Sequence, residues 1–184
     1  MNLSLFIVVL GGRSLKSNIE IHDVRWVLGE TIEDTFTELR KQWLGKRRGL
    51  HIDSYKCIKY VDGYEIVISK SNKDNLISPQ IEDLKLWFIN LGGYNPEKMY
   101  EEHEFNLIVA KKAIEAKKKA KKAWKQNLKT KHNDDCSVIN YFEQIDELHP
   151  IKIKNWEINL IPDPEERSEK LIPDWYGYLR IDKF

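Results

Sequence analysis

The sequence predicts an α+β protein: a tandem duplication of a strand-strand-helix-strand-strand unit, with mainly antiparallel sheets, helices on one face and a pseudo-two-fold axis. Three observations predict it. One apolar stretch is spelled twice, as FIVVLGGR over residues 6–13 and as WFINLGGY over residues 87–94. Further matches recur without a gap at the offset that carries Gly11 to Gly92. Glu20 and His22 meet Glu101 and His103, Trp43 meets Trp124, and His51 and Asp53 meet His132 and Asp134. Finally, each copy holds one segment of helical period between runs of strand character. A duplicated homodimer keeps the dimer's symmetry, hence the expected axis. The organisation read from this is a first repeat with its linker (1–80), a second repeat (81–161) and a C-terminal tail (162–184) that adds an edge strand.

In the first copy, residues 4–10 are a β-branched run ended by Gly11-Gly12, which reads as a strand entering a turn. Val24, Trp26 and Leu28 alternate over residues 23–28 and predict a second strand. Thr31 offers a helix cap, followed by Glu33 and Asp34 where the helix dipole favours acids. Ile32, Phe36, Leu39 and Trp43 then follow at steps of four, three and four, which makes one apolar stripe, and Gly45 is a stop. Residues 50–61 and 64–69 predict two more strands around Asp62-Gly63, a favoured two-residue hairpin turn. Residues 70–83 are polar, contain Pro79 and read as a linker.

The second copy repeats the plan. A strand over 84–91 meets Gly92-Gly93, and a second strand spans 105–109. A helix over 111–129 carries Ala113, Ala116, Ala120 and Trp124 on its apolar stripe, small residues that let it lie close to its support. Strands over 138–145 and 151–161 complete the copy, with a bend near Asn155 where the alternation changes phase. Residues 175–181 are aromatic and apolar enough for a last strand at a sheet edge.

Composition sets bounds on function. A chain of 184 residues, 32% charged and 41% hydrophobic, is ordinary for a soluble globular protein. A net charge of +1 argues against a surface built wholly for nucleic acid. No apolar run reaches the roughly 20 residues a membrane span needs. The run at 3–10 has no basic residue before it and no cleavage site after it, so it reads as a buried strand and the protein as cytoplasmic. Cys57 and Cys136 are out of phase and form no C-x-x-C, which fits buried thiols in a reducing compartment.

The residues that could carry chemistry fall into three groups. Gly11-Gly12-Arg13 and Gly92-Gly93-Tyr94 read either as turns whose amides approach a ligand or as tight turns needing positive φ. They match neither a dinucleotide fingerprint nor a P-loop. His22 and His103 are each followed by an acid, but neighbours on a strand point to opposite faces. His51 with Asp53, and His132 with Asp134, share a face. Joined by His22 in the first copy and His103 in the second, each pair would make a His-His-Asp cluster suited to a divalent transition metal. The structural alternative is a histidine that caps the preceding helix. No nucleophile motif is present. The third group is Lys117, Lys118, Lys121, Lys122 and Lys125 on the second helix, either a phosphate-contacting stripe or a solvated face.

Several of these pieces together resemble a known family. Leu10-Gly-Gly-Arg13, Ile19-x-x-His22-Asp23, the GETIED run from Gly29 to Asp34, and His51-Ile-Asp53 resemble the bacterial domain-of-unknown-function family numbered 1543. Phe88 to Tyr94 and Glu102-His103 resemble its second half. The likeness covers roughly residues 3–161. The lysine run at 111–131 is more basic than the family pattern, and the tail falls outside it. The resemblance implies a soluble, cytoplasmic bacterial protein and no particular activity. The sequence thus favours a non-enzymatic module that binds an unknown small molecule or protein in a groove framed by the two Gly-Gly loops. A metal-assisted hydrolase using His22, His51 and Asp53, or their second-copy counterparts His103, His132 and Asp134, is the alternative, and nucleic-acid binding through the second helix ranks third. No cofactor is named, and no membrane association is expected.

Overall fold

The structure, a computed structural model, describes residues 2–71, 83–94, 97–130 and 144–183. In chain order the elements are β1 (Ser4–Gly12), β2 (Ile21–Gly29), a 3-10 turn (Glu33–Thr35) leading into α1 (Phe36–Gln42), β3 (His51–Ile58), β4 (Tyr60–Val61) and β5 (Tyr64–Lys70). Then come β6 (Lys85–Tyr94), β7 (Glu101–Ala110), α2 (Ala113–Thr130), β8 (Gln144–Pro150), β9 (Trp156–Pro162) and β10 (Trp175–Arg180). The described strands form three antiparallel sheets, ordered β10-β3-β1-β2, β4-β5-β9 and β7-β6-β8.

The uninterrupted apolar runs in β1 and β6 follow from burial on both faces. Phe6, Val8 and Leu10 of β1 face Phe36 and Leu39 of α1 together with Ile32 and Trp43. Leu5 and Ile7, on the opposite face, join Leu86 and Phe88 of β6 and Leu107 and Val109 of β7 in a central core. The other face of β6 sends Trp87, Ile89 and Leu91 to Ala116 and Ala120 of α2. Trp26 of β2 reaches across the central core to Phe88, ring centroids 5.4 Å apart. Each helix therefore covers the outside of its own sheet, and the inner faces of the two sheets meet.

Local expectations hold in several places. The stripe of Ile32, Phe36, Leu39 and Trp43 is buried throughout, and the helix ends where Trp43 turns extended. The cap differs: the helix start has no side-chain cap, and the Asp34 carboxylate instead accepts from the Thr31 N–H (2.8 Å) and hydroxyl (3.2 Å) just before it. Asp62 and Gly63 both take positive φ (51° and 80°), as the tight hairpin turn requires. The Asp62 carboxylate then accepts the Val109 N–H (3.0 Å), tying this hairpin to β7. On α2, Ala116 and Ala120 are fully buried while Ala113 is exposed. The bend near Asn155 is a turn with that residue at φ 66°, and β10 closes the free edge of β3.

Two expectations are corrected. Gly11-Gly12 and Gly92-Gly93 are not turns: they lie inside β1 and β6 and have no positive φ, so no groove is framed by Gly-Gly loops. The fixed offset also fails beyond α2. His51 pairs with Gly11, whereas Gln144 pairs with Gly92, so the strand after the helix corresponds at an offset of 93 (His51 to Gln144). His132, Asp134 and residues 138–143 lie outside the described residues. The described strand there runs Gln144–Pro150.

Truncating a residue as buried as Leu39 leaves a cavity, so Leu39→Ala is expected to cost about 2–5 kcal/mol, read from denaturant midpoints. A second expectation concerns pH. Asp163 accepts from the Arg167 guanidinium (2.9 and 2.7 Å) and backbone N–H (2.8 Å), which holds its carboxyl down to about 2. Its ordinary value is about 3.9. The stabilisation is therefore complete above that value and is lost as pH falls towards 2. The stability gap between wild type and Asp163→Asn should be widest near neutral pH and narrow steadily below pH ~4.

Candidate functional site

Antiparallel pairing places His22 of β2 opposite Gly11 of β1, and Gly11 opposite His51 of β3. Residues directly opposite share a face, so the two histidines flank a position with no side chain. A methyl group on Gly11 would collide with His51 Nε2 and stand 2.8 Å from Asp53 Oδ2. Glycine is needed here for close approach. Gly12, facing the other way, leaves room for the Trp43 indole, which a methyl would meet at 2.9 Å.

Strand periodicity adds the rest of the cluster. Glu20 and His22 are two residues apart at the start of β2, and His51 and Asp53 are two apart on β3. Asp53 is the extra residue at the register shift where β3 passes Val9 and Leu10, a bulge that leaves it unpaired. His22 Nε2 lies 3.4 Å from Glu20 Oε1 and 3.2 Å from Asp53 Oδ2. His51 Nε2 lies 3.3 Å from Glu20 Oε1 and 3.1 Å from Asp53 Oδ1. Two imidazoles and two carboxylates thus converge above one glycine.

The protonation of His51 is fixed on one side. Its Nδ1 lies 2.8 Å from the Gly49 carbonyl, which can only accept, so Nδ1 carries a hydrogen. Nε2 therefore points into the cluster. The His51 side chain is 1% exposed, and its Nε2 makes no hydrogen bond despite two carboxylates nearby. Asp53 Oδ2 is likewise buried without a hydrogen bond. Burial pushes the Asp53 carboxyl up and Glu20 adds to this, against the opposing pull of His51 and His22. The His22 side chain is 55% exposed and forms the solvent side.

These distances fit ion pairs and also the spacing between ligands of one ion. Zinc-like bonds are about 2.0–2.2 Å, which sets adjacent donors about 3.0–3.5 Å apart. Glu20, His51 and Asp53 each offer one donor atom, all within 4.8 Å of one another, the one such group of three among the described residues. A ligating histidine also usually donates its other N–H to a carbonyl or carboxylate, as His51 does to Gly49.

The second half builds the same row with different chemistry. His103 of β7 and Gln144 of β8 stand opposite Gly92. Asp146 is the bulge residue there, and a methyl on Gly92 would collide with its carboxylate. Glu101 stands where the first half has Glu20. The contacts are looser: His103 Nδ1 is 3.7 Å from Asp146 Oδ2. Asn90 fills the middle, donating its amide to Glu147 Oε2 (2.6 Å) and lying 3.1 Å from His103 Nδ1. Burial, then Glu101 and Glu147, raise the Asp146 carboxyl. One imidazole now faces three carboxylates.

The model of the family described as Domain of Unknown Function (DUF1543) matches residues 17–68 and 98–148. The chain belongs to that family. Both matched DUF1543 segments contain the glutamate, histidine and bulge aspartate of their half. A crystal structure of protein Il1583 from Idiomarina loihiensis is similar throughout: TM-score 0.72, 28% identity, 98% of this chain and 99% of that one. No curated protein matches the sequence.

Of the residues singled out from the sequence, His22, His51, Asp53 and Gly11 come together, as do His103 and Gly92 in the second half. Gly12 belongs to the helix side. Arg13 is exposed, and its carbonyl accepts the Lys46 N–H (2.6 Å). Gly93 is buried within β6, and the Tyr94 side chain lies outside the described residues, as do His132 and Asp134. Glu20 and Asp146 went unread as site residues. The signal for Glu20 was present, since Glu-x-His occurs at the start of the second strand in both copies.

Because the carboxylate and imidazole occupy the space a methyl would need, Gly11→Ala is expected to cost about 1–3 kcal/mol by overpacking, read from urea unfolding. Gly49→Ala meets nothing within 4 Å, but it strains a residue at φ 84° whose carbonyl holds His51 Nδ1, so its cost is expected from backbone strain and not from overpacking.

Proposed function

We propose that this DUF1543 chain is a ligand-binding protein whose ligand is a divalent transition-metal ion, held by Glu20, His22, His51 and Asp53. One observation carries the reading: the His51 Nε2 is buried, has no hydrogen bond and faces two carboxylates. Buried charged groups are stable when paired or when they coordinate a metal, and an ion between this nitrogen and the two carboxylates would serve all three. Mixed imidazole and carboxylate ligands suit zinc, manganese, iron or cobalt better than calcium or magnesium.

The proposal includes the duplicated plan. Its support is the pairing of β5 with β9, where Ile66 meets Leu160 and Val67 meets Asn159. Moving each residue to its counterpart 93 positions away exchanges these two pairs, as a two-fold axis between the halves would. In this reading the second site has exchanged an imidazole for Gln144 and Asn90 chemistry, and the chain takes one ion.

Hydrolysis assisted by that ion is the second reading. It draws on the exposed His22 side, where an open ligand position would face solvent. A cleft lined by Leu84, Ile153, Trp156 and Leu160 includes none of the cluster residues, so it offers that reading no substrate pocket. Nucleic-acid binding rests on Lys117, Lys118, Lys121, Lys122 and Lys125 of α2 alone.

Calorimetric titration of metal-stripped protein with Zn²⁺, Co²⁺ and Mn²⁺ tests the proposal. One ion per chain is expected, with binding abolished in His51→Ala. At 100-fold excess over Kd an ion adds about 2.7 kcal/mol to stability, a rise in Tm of about 5–10 °C for a chain of this size. No heat and no Tm shift with any of the three ions would end the metal reading.

A further inference from the structure

The buried histidine is held from a part of the chain that lies outside both matched family segments. β10 pairs with β3 at its outer edge and sets Arg180 opposite His51, extending the row His22, Gly11, His51 by one strand. Arg180 grips the Asp182 carboxylate through Nε (3.1 Å) and Nη2 (2.6 Å). That carboxylate, whose side chain is only 5% exposed, accepts the Gly49 N–H at 2.7 Å. The Gly49 carbonyl in turn accepts the His51 Nδ1–H. Two further bonds lock the same segments: the Ile181 N–H to the Leu50 carbonyl (3.1 Å) and Arg40 Nη1 to the Ile181 carbonyl (3.1 Å). From another side Tyr178 lays its ring on the imidazole, centroids 4.1 Å apart at 36°, while remaining 63% exposed itself.

We propose that Asp182 and Tyr178 are positioning residues for the metal site, acting through His51. The ring of His51 has two ways to lose its aim. Its Nδ1 partner can move, or the ring can rotate. Asp182 opposes the first by fixing Gly49, which sits at φ 84° in a connection with no regular structure. Tyr178 opposes the second by occupying the space the imidazole would sweep. Outer partners of this kind contribute about 10–100-fold to metal affinity. Among the described residues the second sheet, β7-β6-β8, has no fourth strand beside β8. The inference rests on the metal reading for its consequence, but its geometric part stands apart from it.

The test uses Co²⁺ as the metal probe with the full chain, and a second readout without metal. Asp182→Ala should bind Co²⁺ about 10–100-fold more weakly than wild type and change the visible ligand-field bands, with unchanged far-ultraviolet circular dichroism. Asp182→Asn, whose amide oxygen can still accept from Gly49, should recover most of the affinity. Tyr178→Phe should match wild type, and Tyr178→Ala, a change at an exposed side chain, should weaken binding. In metal-free protein, ¹⁵N shifts should show His51 as the Nδ1–H tautomer in wild type and as a mixture in Asp182→Ala. Wild-type affinity, bands and tautomer in folded Asp182→Ala and Tyr178→Ala would overturn the positioning role. If wild type takes no Co²⁺ while the tautomer still depends on Asp182, the metal reading fails and the role in orienting His51 survives.

Discussion

At Gly11 there is no room for a side chain, and that space is where the two halves of the cluster meet. His22 comes from one neighbouring strand and His51 from the other, so their imidazoles approach only by leaning over the strand between them. This places a strict demand on register. A one-residue slip of β1 would turn its apolar residues to the wrong faces. Burial on both faces holds β1 in place, with Val8 and Leu10 against α1 and Leu5 and Ile7 in the central core. The core therefore fixes the site, although no core residue belongs to it.

The comparison between halves separates what the fold needs from what the ligand needs. Both halves keep a glycine in the middle strand, a Glu-x-His on one side and a bulge aspartate on the other. These features leave room for a polar cluster at the end of each sheet. The halves differ in the residue paired with the glycine on that side, His51 in one and Gln144 in the other. They differ again in the C-terminal strand, which supports His51 and has no described counterpart beside β8. In the first site His51 Nε2 and Asp53 Oδ2 are buried without a hydrogen bond, as Asn90 Oδ1 and Asp146 Oδ2 are in the second. In the second, Asn90 spends its amide on Glu147 and lies beside His103.

Much of the fold was legible because its signals are local. The steps of Ile32, Phe36, Leu39 and Trp43 and the Asp62-Gly63 turn depend on residues close in sequence, and both are found as read. The glycine pairs were misread because their reason is not local. A Gly-Gly after a strand normally marks a turn, and only side chains distant in sequence, His51 and Asp53 at Gly11, Trp43 at Gly12 and Asp146 at Gly92, explain why glycine continues the strand. The second site was misaligned for a related reason. His132-x-Asp134 matches His51-x-Asp53 by sequence, yet strand pairing brings Gln144 and Asp146 to that row, after a longer helix and connection. The roles of Asp182 and Tyr178 could not be read at all, since each acts across strands on a residue more than 120 positions away.

The account depends on an ion lying between His51 Nε2, Asp53, Glu20 and His22. Diffraction from crystals grown with Zn²⁺, recorded on both sides of the zinc absorption edge, shows this most directly. The account predicts one anomalous peak above Gly11, at about 2.0–2.2 Å from His51 Nε2 and from an oxygen of Asp53. A saturated crystal with no peak there, or with its strongest peak at the Glu101, His103 and Asp146 cluster instead, would contradict it.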